Sequence, residues 1–148
     1  MLVIQAQAMG MCFGVEDAIS SAHSLKNPQD VTILGEIVHN RRVQQDLLDL
    51  GFASQGEQER AELPVSSGVL VTAHGISDAY RSRLQGKTII DTTCPLVTRV
   101  HKMARRYHEQ GYRLVLAGKK GHVEVLGITE DYPDTEVIQS LESVSANL

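Results

Sequence analysis

Short apolar runs recur along this chain, each followed by a turn and then by a stretch with apolar residues at helical spacing. The runs are Leu2–Ala8, Val31–Leu34, Gly68–Ala73, Lys87–Ile90, Tyr112–Ala117 and Glu136–Gln139. The helical stripes are Val15–Leu25, Arg41–Leu50, Ser77–Leu84, Pro95–Gln110 and a short one near Val125–Thr129. A strand that hands over to a helix does not pair back as a hairpin, so the alternation predicts a mostly parallel sheet with helices on both faces. The expected class is α/β, in two small lobes at about residues 1–95 and 96–148. Phe52–Leu63 is polar and is expected to be a surface connection, and Ser140–Leu148 a weak terminal helix or tail.

Composition narrows the function classes. At 42% hydrophobic and 22% charged residues the chain has a globular balance. A net charge of −4 argues against a general polyanion-binding surface. With 4% aromatics and no Trp, base-stacking platforms are not expected either, so no nucleic-acid partner is predicted. No stretch approaches the roughly 20 apolar residues of a membrane span. Met1–Ile4 is followed by glutamines without a basic leader, so the expected compartment is the reducing cytoplasm, away from membranes. Two cysteines without a CxxC pair do not make a disulfide scaffold.

Chemistry concentrates where strands end. Cys12, His39, His74, Cys94 and His122 each follow the carboxyl end of an expected strand, the edge at which open α/β sheets bind ligands. A lone histidine there is usually unremarkable; three histidines and two cysteines on one edge are hard to dismiss. Lys87–Ile90 reads as a buried strand, and Pro95 suits the first turn of the helix that follows, so Cys94 falls at or beside its N-cap. The positive end of a helix dipole favours thiolate, which equips Cys94 to bind metal or attack an electrophile. A Cys-Pro step also closes one iron–sulfur ligand run, although a buried structural cysteine fits the position as well. His23 and His108 fall on solvated helix faces, and His101 stays open.

The segments Gly10–Val15, Ile37–Asn40, Thr72–Ser77, Asp91–His101 and Gly121–Val125 resemble, in order, the motif set of the LytB family. The resemblance covers nearly the whole chain. It implies 4-hydroxy-3-methylbut-2-enyl diphosphate reductase activity: iron–sulfur reductive dehydroxylation of an allylic diphosphate in non-mevalonate isoprenoid biosynthesis. It further implies that Cys12 and Cys94 are two of three cysteines holding an iron–sulfur cluster, of the [4Fe–4S] type. His39, His74 and His122 would contact the substrate diphosphate, and Glu124 would relay protons. Without the resemblance, Glu124 reads as a solvated glutamate in a Gly-rich loop. Electrons would come from a ferredoxin or flavodoxin.

Departures accompany the match. The family chain continues for about another domain, with the third cysteine and a Ser/Asn group of the diphosphate pocket. Gly35 stands where the family usually has His, Val123 where it has Pro, and Ile128 where a Thr follows the Gly. The alternative is a short non-enzymatic LytB-like paralogue that binds a cluster or a small phosphate ligand. A plain α/β phosphate-binding module is a third reading, which leaves the cysteines to chance. A homodimer that joins two Cys12/Cys94 pairs is an expected assembly.

Overall fold

The computed structural model describes residues 2–5, 7, 10–38, 40–141 and 144 of the 148-residue chain. Helix α1 (Phe13–His23) precedes β1 (Val31–Leu34), α2 (Arg41–Asp49), β2 (Ala53–Gln55) and β3 (Gly68–Val71). Then follow α3 (Asp78–Arg83), β4 (Thr88–Asp91), α4 (Pro95–Glu109), β5 (Val115–Ala117), α5 (Val123–Thr129) and β6 (Glu136–Ile138). Single 3₁₀ turns occupy Pro28–Asp30 and Glu57–Glu59. One sheet has the order β2-β1-β3-β4, a second pairs β5 with β6, and every pairing is parallel.

The central strands β1 and β3 are buried along their whole length, and their side chains alternate between two cores. Val31, Ile33 and Leu70 pack with Ala18 and Ala22 of α1 and Leu47 of α2. Leu34, Val69 and Val71 pack with Tyr80 of α3 and with Leu84. Helices therefore cover both faces, as the alternating pattern predicts.

Local signals set the helix starts. The Asn40 side chain accepts from Arg42 N at 3.0 Å and Val43 N at 3.4 Å, which caps α2. Ser77 Oγ accepts from Tyr80 N at 3.0 Å and caps α3. Pro95 occupies the first turn of α4, and Cys94 is its N-cap. Along α4, Val97, His101 and Ala104 are half-buried, whereas Leu96, Val100, Met103 and Tyr107 form an exposed apolar stripe.

Three sequence expectations are corrected. Residues 2–5 form no strand, and Leu2, Val3 and Ile4 are exposed, so the apolar run at 2–8 has no sheet partner among the described residues. β4 is an edge strand with Ile89 and Ile90 only half-buried, because its far side pairs with nothing among the described residues. The polar connection at 52–63 contains β2, which pairs with β1 through Ala53, Ser54 and Gln55. The expected tail at 140–148 lies largely outside the described residues. Among those residues, no helix is long and apolar enough to cross a membrane.

Candidate functional site at the strand ends

Three loops leave the carboxyl ends of β3, β4 and β5 and meet. Beyond β3, Gly75 adopts φ +73° and its amide donates to Thr72 O at 3.0 Å, which closes the turn that carries His74. A side chain at Gly75 would stand 2.9 Å from Thr93 Cγ2, so this turn lies against the β4 loop. Cys94 N donates to Ala73 O at 3.0 Å, fixing that contact one residue from His74. Asp91, at the end of β4, accepts from Thr93 N at 3.0 Å and Thr93 Oγ1 at 2.5 Å, and pairs with Arg81. Burial alone would raise the Asp91 pKa, but the bonds from Thr93 and Arg81 outweigh it and hold the carboxyl below its usual range.

The β5 loop brings His122 to the N-cap of α5, where its Nδ1 accepts from Glu124 N at 3.4 Å. With Nδ1 accepting, a neutral ring carries its proton on Nε2. His74 Nδ1 lies 3.1 Å from Glu124 Oε1, and the His74 and His122 rings meet edge to face at 6.1 Å. Two imidazoles and a carboxylate are thus assembled from the β3 loop and the start of α5. A cavity of about 650 Å³ opens beside them, lined by His74, His122, Lys119 and Lys120 together with Glu36, Glu57 and Glu59. The lysines and the glutamates escaped the sequence reading. Lys119-Lys120 sits between Gly118 and Gly121, a signal that was available, whereas the glutamates read as ordinary surface.

Cys12 is the exposed N-cap of α1, and Cys94 the half-buried N-cap of α4. Neither thiol caps its own helix by hydrogen bonding. A Cβ at Gly14 would stand 3.0 Å from Cys94 Sγ, so the first turn of α1 lies directly on that sulfur. Soft, uncommitted thiols at two converging helix starts fit as part of an iron–sulfur ligand set. They do not complete one: among the described residues no group of three or more His, Cys, Asp or Glu side chains is placed to hold a metal ion. Cys12 follows no described strand, unlike His74, Cys94 and His122, and His39 lies outside the described residues.

Residues 3–148 match the family model described as LytB protein. The chain belongs to the LytB family. Among LytB relatives, the 4-hydroxy-3-methylbut-2-enyl diphosphate reductase of Protochlamydia amoebophila is 37% identical over 149 residues, covering 97% of this chain and 47% of its own length. That of Halalkalibacterium halodurans is 35% identical and is covered to 50%. The solved structure of the E-1-hydroxy-2-methyl-but-2-enyl-4-diphosphate reductase from Plasmodium falciparum superposes with a TM-score of 0.81 at 29% identity, covering 93% of this chain and 44% of that one. The solved structure of (E)-4-hydroxy-3-methyl-but-2-enyl diphosphate reductase, the terminal enzyme of the non-mevalonate pathway, gives a TM-score of 0.78 at 36% identity, covering 97% of this chain and 53% of that one. The chain spans about half the length of the curated LytB relatives it matches.

Proposed function

We propose that this chain carries the diphosphate-binding and proton-donating part of a 4-hydroxy-3-methylbut-2-enyl diphosphate reductase, within lobes 1–95 and 96–148. The observation that supports this most is the meeting of His74, His122 and Glu124 beside Cys94 in a chain of LytB sequence. In the reaction, two electrons and two protons enter, the allylic C–O bond breaks, the hydroxyl leaves as water, and the carbon skeleton takes up the second proton. Cys12 and Cys94 would hold an iron–sulfur cluster of the [4Fe–4S] type, with the third cysteine drawn from the part of the relatives that this chain does not span. Bound there, such a cluster supplies one-electron transfer and an iron site for the hydroxyl. A ferredoxin or flavodoxin in the cytoplasm would provide the electrons.

The protein's own groups do the remainder. His74 and His122, with His39 by family resemblance, bind the diphosphate, and Lys119 and Lys120 add positive charge to the cavity lining. Glu124 holds the proton for the departing hydroxyl at a carboxylate oxygen, and its contact with His74 orients it. Glu36, Glu57 and Glu59 also line the cavity, and their carboxylates disfavour an anion beside them, which directs an anionic ligand to the histidines and lysines.

A thermal-shift titration with pyrophosphate and with the allylic diphosphate tests the reading. Ligand at a hundredfold excess over its dissociation constant stabilises the fold by about 2.7 kcal/mol. An equal response from a His39/His74/His122 triple alanine variant would retire it. Iron and sulfide analysis of anaerobically reconstituted wild type, Cys12→Ser and Cys94→Ser tests the ligand set separately. Equal metal content in all three removes the cysteines from it. Cluster loading without any diphosphate response would favour the non-enzymatic paralogue instead.

A further inference from the structure

Glu130 forms the C-terminal end of α5, opposite the end that bears His122 and Glu124. Its carboxylate accepts from the fully buried Ser77 Oγ and, in a bidentate pair, from Arg60 Nε at 3.1 Å and Nη2 at 3.0 Å. Ser77 belongs to the same loop as His74. Arg60 in turn reaches Glu57 Oε2 at 3.4 Å and lies 4.7 Å over the ring of buried Tyr80. Asp131, the next residue, accepts from Asp78 N and Ala79 N at 2.9 Å each, taking two otherwise unpaired donors at the start of α3. Helix α5 therefore grips the 72–77 loop at both of its ends: Glu124 holds His74, and Glu130 holds Ser77.

We propose that Glu130, supported by Asp131, is the positioning residue of this site. It joins the three walls of the cavity without lining it: the helix that carries His122 and Glu124, the loop that carries His74, and, through Arg60, the turn that carries Glu57 and Glu59. A helix anchored at one end pivots; anchored at both, it has one register against the loop. Removing the Glu130 carboxylate leaves Ser77 Oγ buried without this acceptor and releases Arg60, so the disturbance falls at the junction and not in either apolar core. The ligand part of this inference rests on the diphosphate reading above; the positional part does not.

The test compares wild type with Glu130→Gln and Asp131→Asn, using Leu47→Ala as a control that weakens the core beneath α2. Two quantities are read: pyrophosphate affinity by calorimetry, and the ¹H–¹⁵N imidazole signals of His74 and His122. Glu130→Gln, folded by circular dichroism, is expected to bind pyrophosphate about tenfold more weakly, as loss of an orienting partner does. It should also move the His74 and His122 signals while leaving those of exposed His23. Leu47→Ala should lower the melting temperature and move neither ring. If Glu130→Gln does not fold, Asp131→Asn is read in the same way. Unchanged His74 signals in the folded variant, or equal movement in Leu47→Ala, overturns the proposal. A wild type that ignores pyrophosphate defeats the diphosphate reading alone, because the ring signals still decide the positioning.

Discussion

Gly14 and the sulfur of Cys94 are so close that a single methyl group between them would stand 3.0 Å from Sγ and 3.1 Å from the Cys94 Cβ. Gly14 lies in the first turn of α1, where the helix-propensity difference between glycine and alanine weighs less than in a helix interior, so Gly14→Ala acts mainly by crowding the thiol. The variant is expected to keep its melting temperature within about 4 °C of wild type. It should retain clearly less iron and sulfide after reconstitution. Wild-type loading in Gly14→Ala would show that the two helix starts need not lie this close.

His122 has two jobs that substitution can separate. As N-cap of α5 it accepts from Glu124 N, and asparagine also caps well. His122→Asn should therefore melt near wild type yet lose most of its response to pyrophosphate. His122→Ala should lose the cap as well, at about 1 kcal/mol. Pyrophosphate binding that survives in His122→Asn would take the ring out of the anion site.

His101 gives the fold a pH dependence. Burial pushes its pKa down; Asp131 and Asp78 oppose that shift, while Arg105 and Arg81 reinforce it. Among the described residues its Nε2 is buried without a hydrogen-bond partner, and a Cβ at Gly127 would lie 3.2 Å from it. A depressed folded pKa means that the unfolded chain takes up the proton first. Stability is thus full above the unfolded value of 6.5 and declines as pH falls from there through the folded value. Melting temperatures between pH 8 and about pH 5 should fall less steeply in His101→Leu than in wild type. Parallel curves would assign the slope to other groups.

Asp91 acts further down the scale. Its carboxyl is held below 3.8, so its stabilisation is present above that value and is lost as pH falls through the lower folded pKa. Asp91→Asn should lower stability at neutral pH by about 1 kcal/mol, since the bonds from Thr93 and Arg81 weaken but do not all vanish. Denaturant unfolding at pH 7 and pH 3 checks this: the gap between variant and wild type should narrow at the lower pH.

Much of this was legible in the residues. Val31–Leu34 and Gly68–Val71 are short runs, apolar but for Thr32, the mark of strands buried on both faces, and Ser77 and Pro95 announced their helices. β2 was not legible, because an exposed Ala-Ser-Gln edge strand has no apolar pattern and exists only through its pairing with β1. Leu2–Ile4 shows the converse: an apolar run without a pairing partner among the described residues does not form a strand. At the site, loop positions next to glycines revealed His74 and His122, and the step into Pro95 at a strand end revealed Cys94. Arg60, Glu130 and Asp131 remained hidden, since charged residues on a helix or turn read as solvated until a partner 53 or 70 residues away meets them.

The strand order β2-β1-β3-β4 has a consequence for the birth of the molecule. As the chain emerges from the ribosome, β2 can join one edge of β1, β3 then takes the opposite edge, and β4 adds outside β3. Each new strand docks on an open margin, and none has to wedge itself between two partners already joined. Each parallel pairing must still wait for its intervening helix, which makes closure slower than in a hairpin protein. The order of synthesis and the order of assembly nevertheless coincide, so the sheet can be laid down by successive addition while translation proceeds.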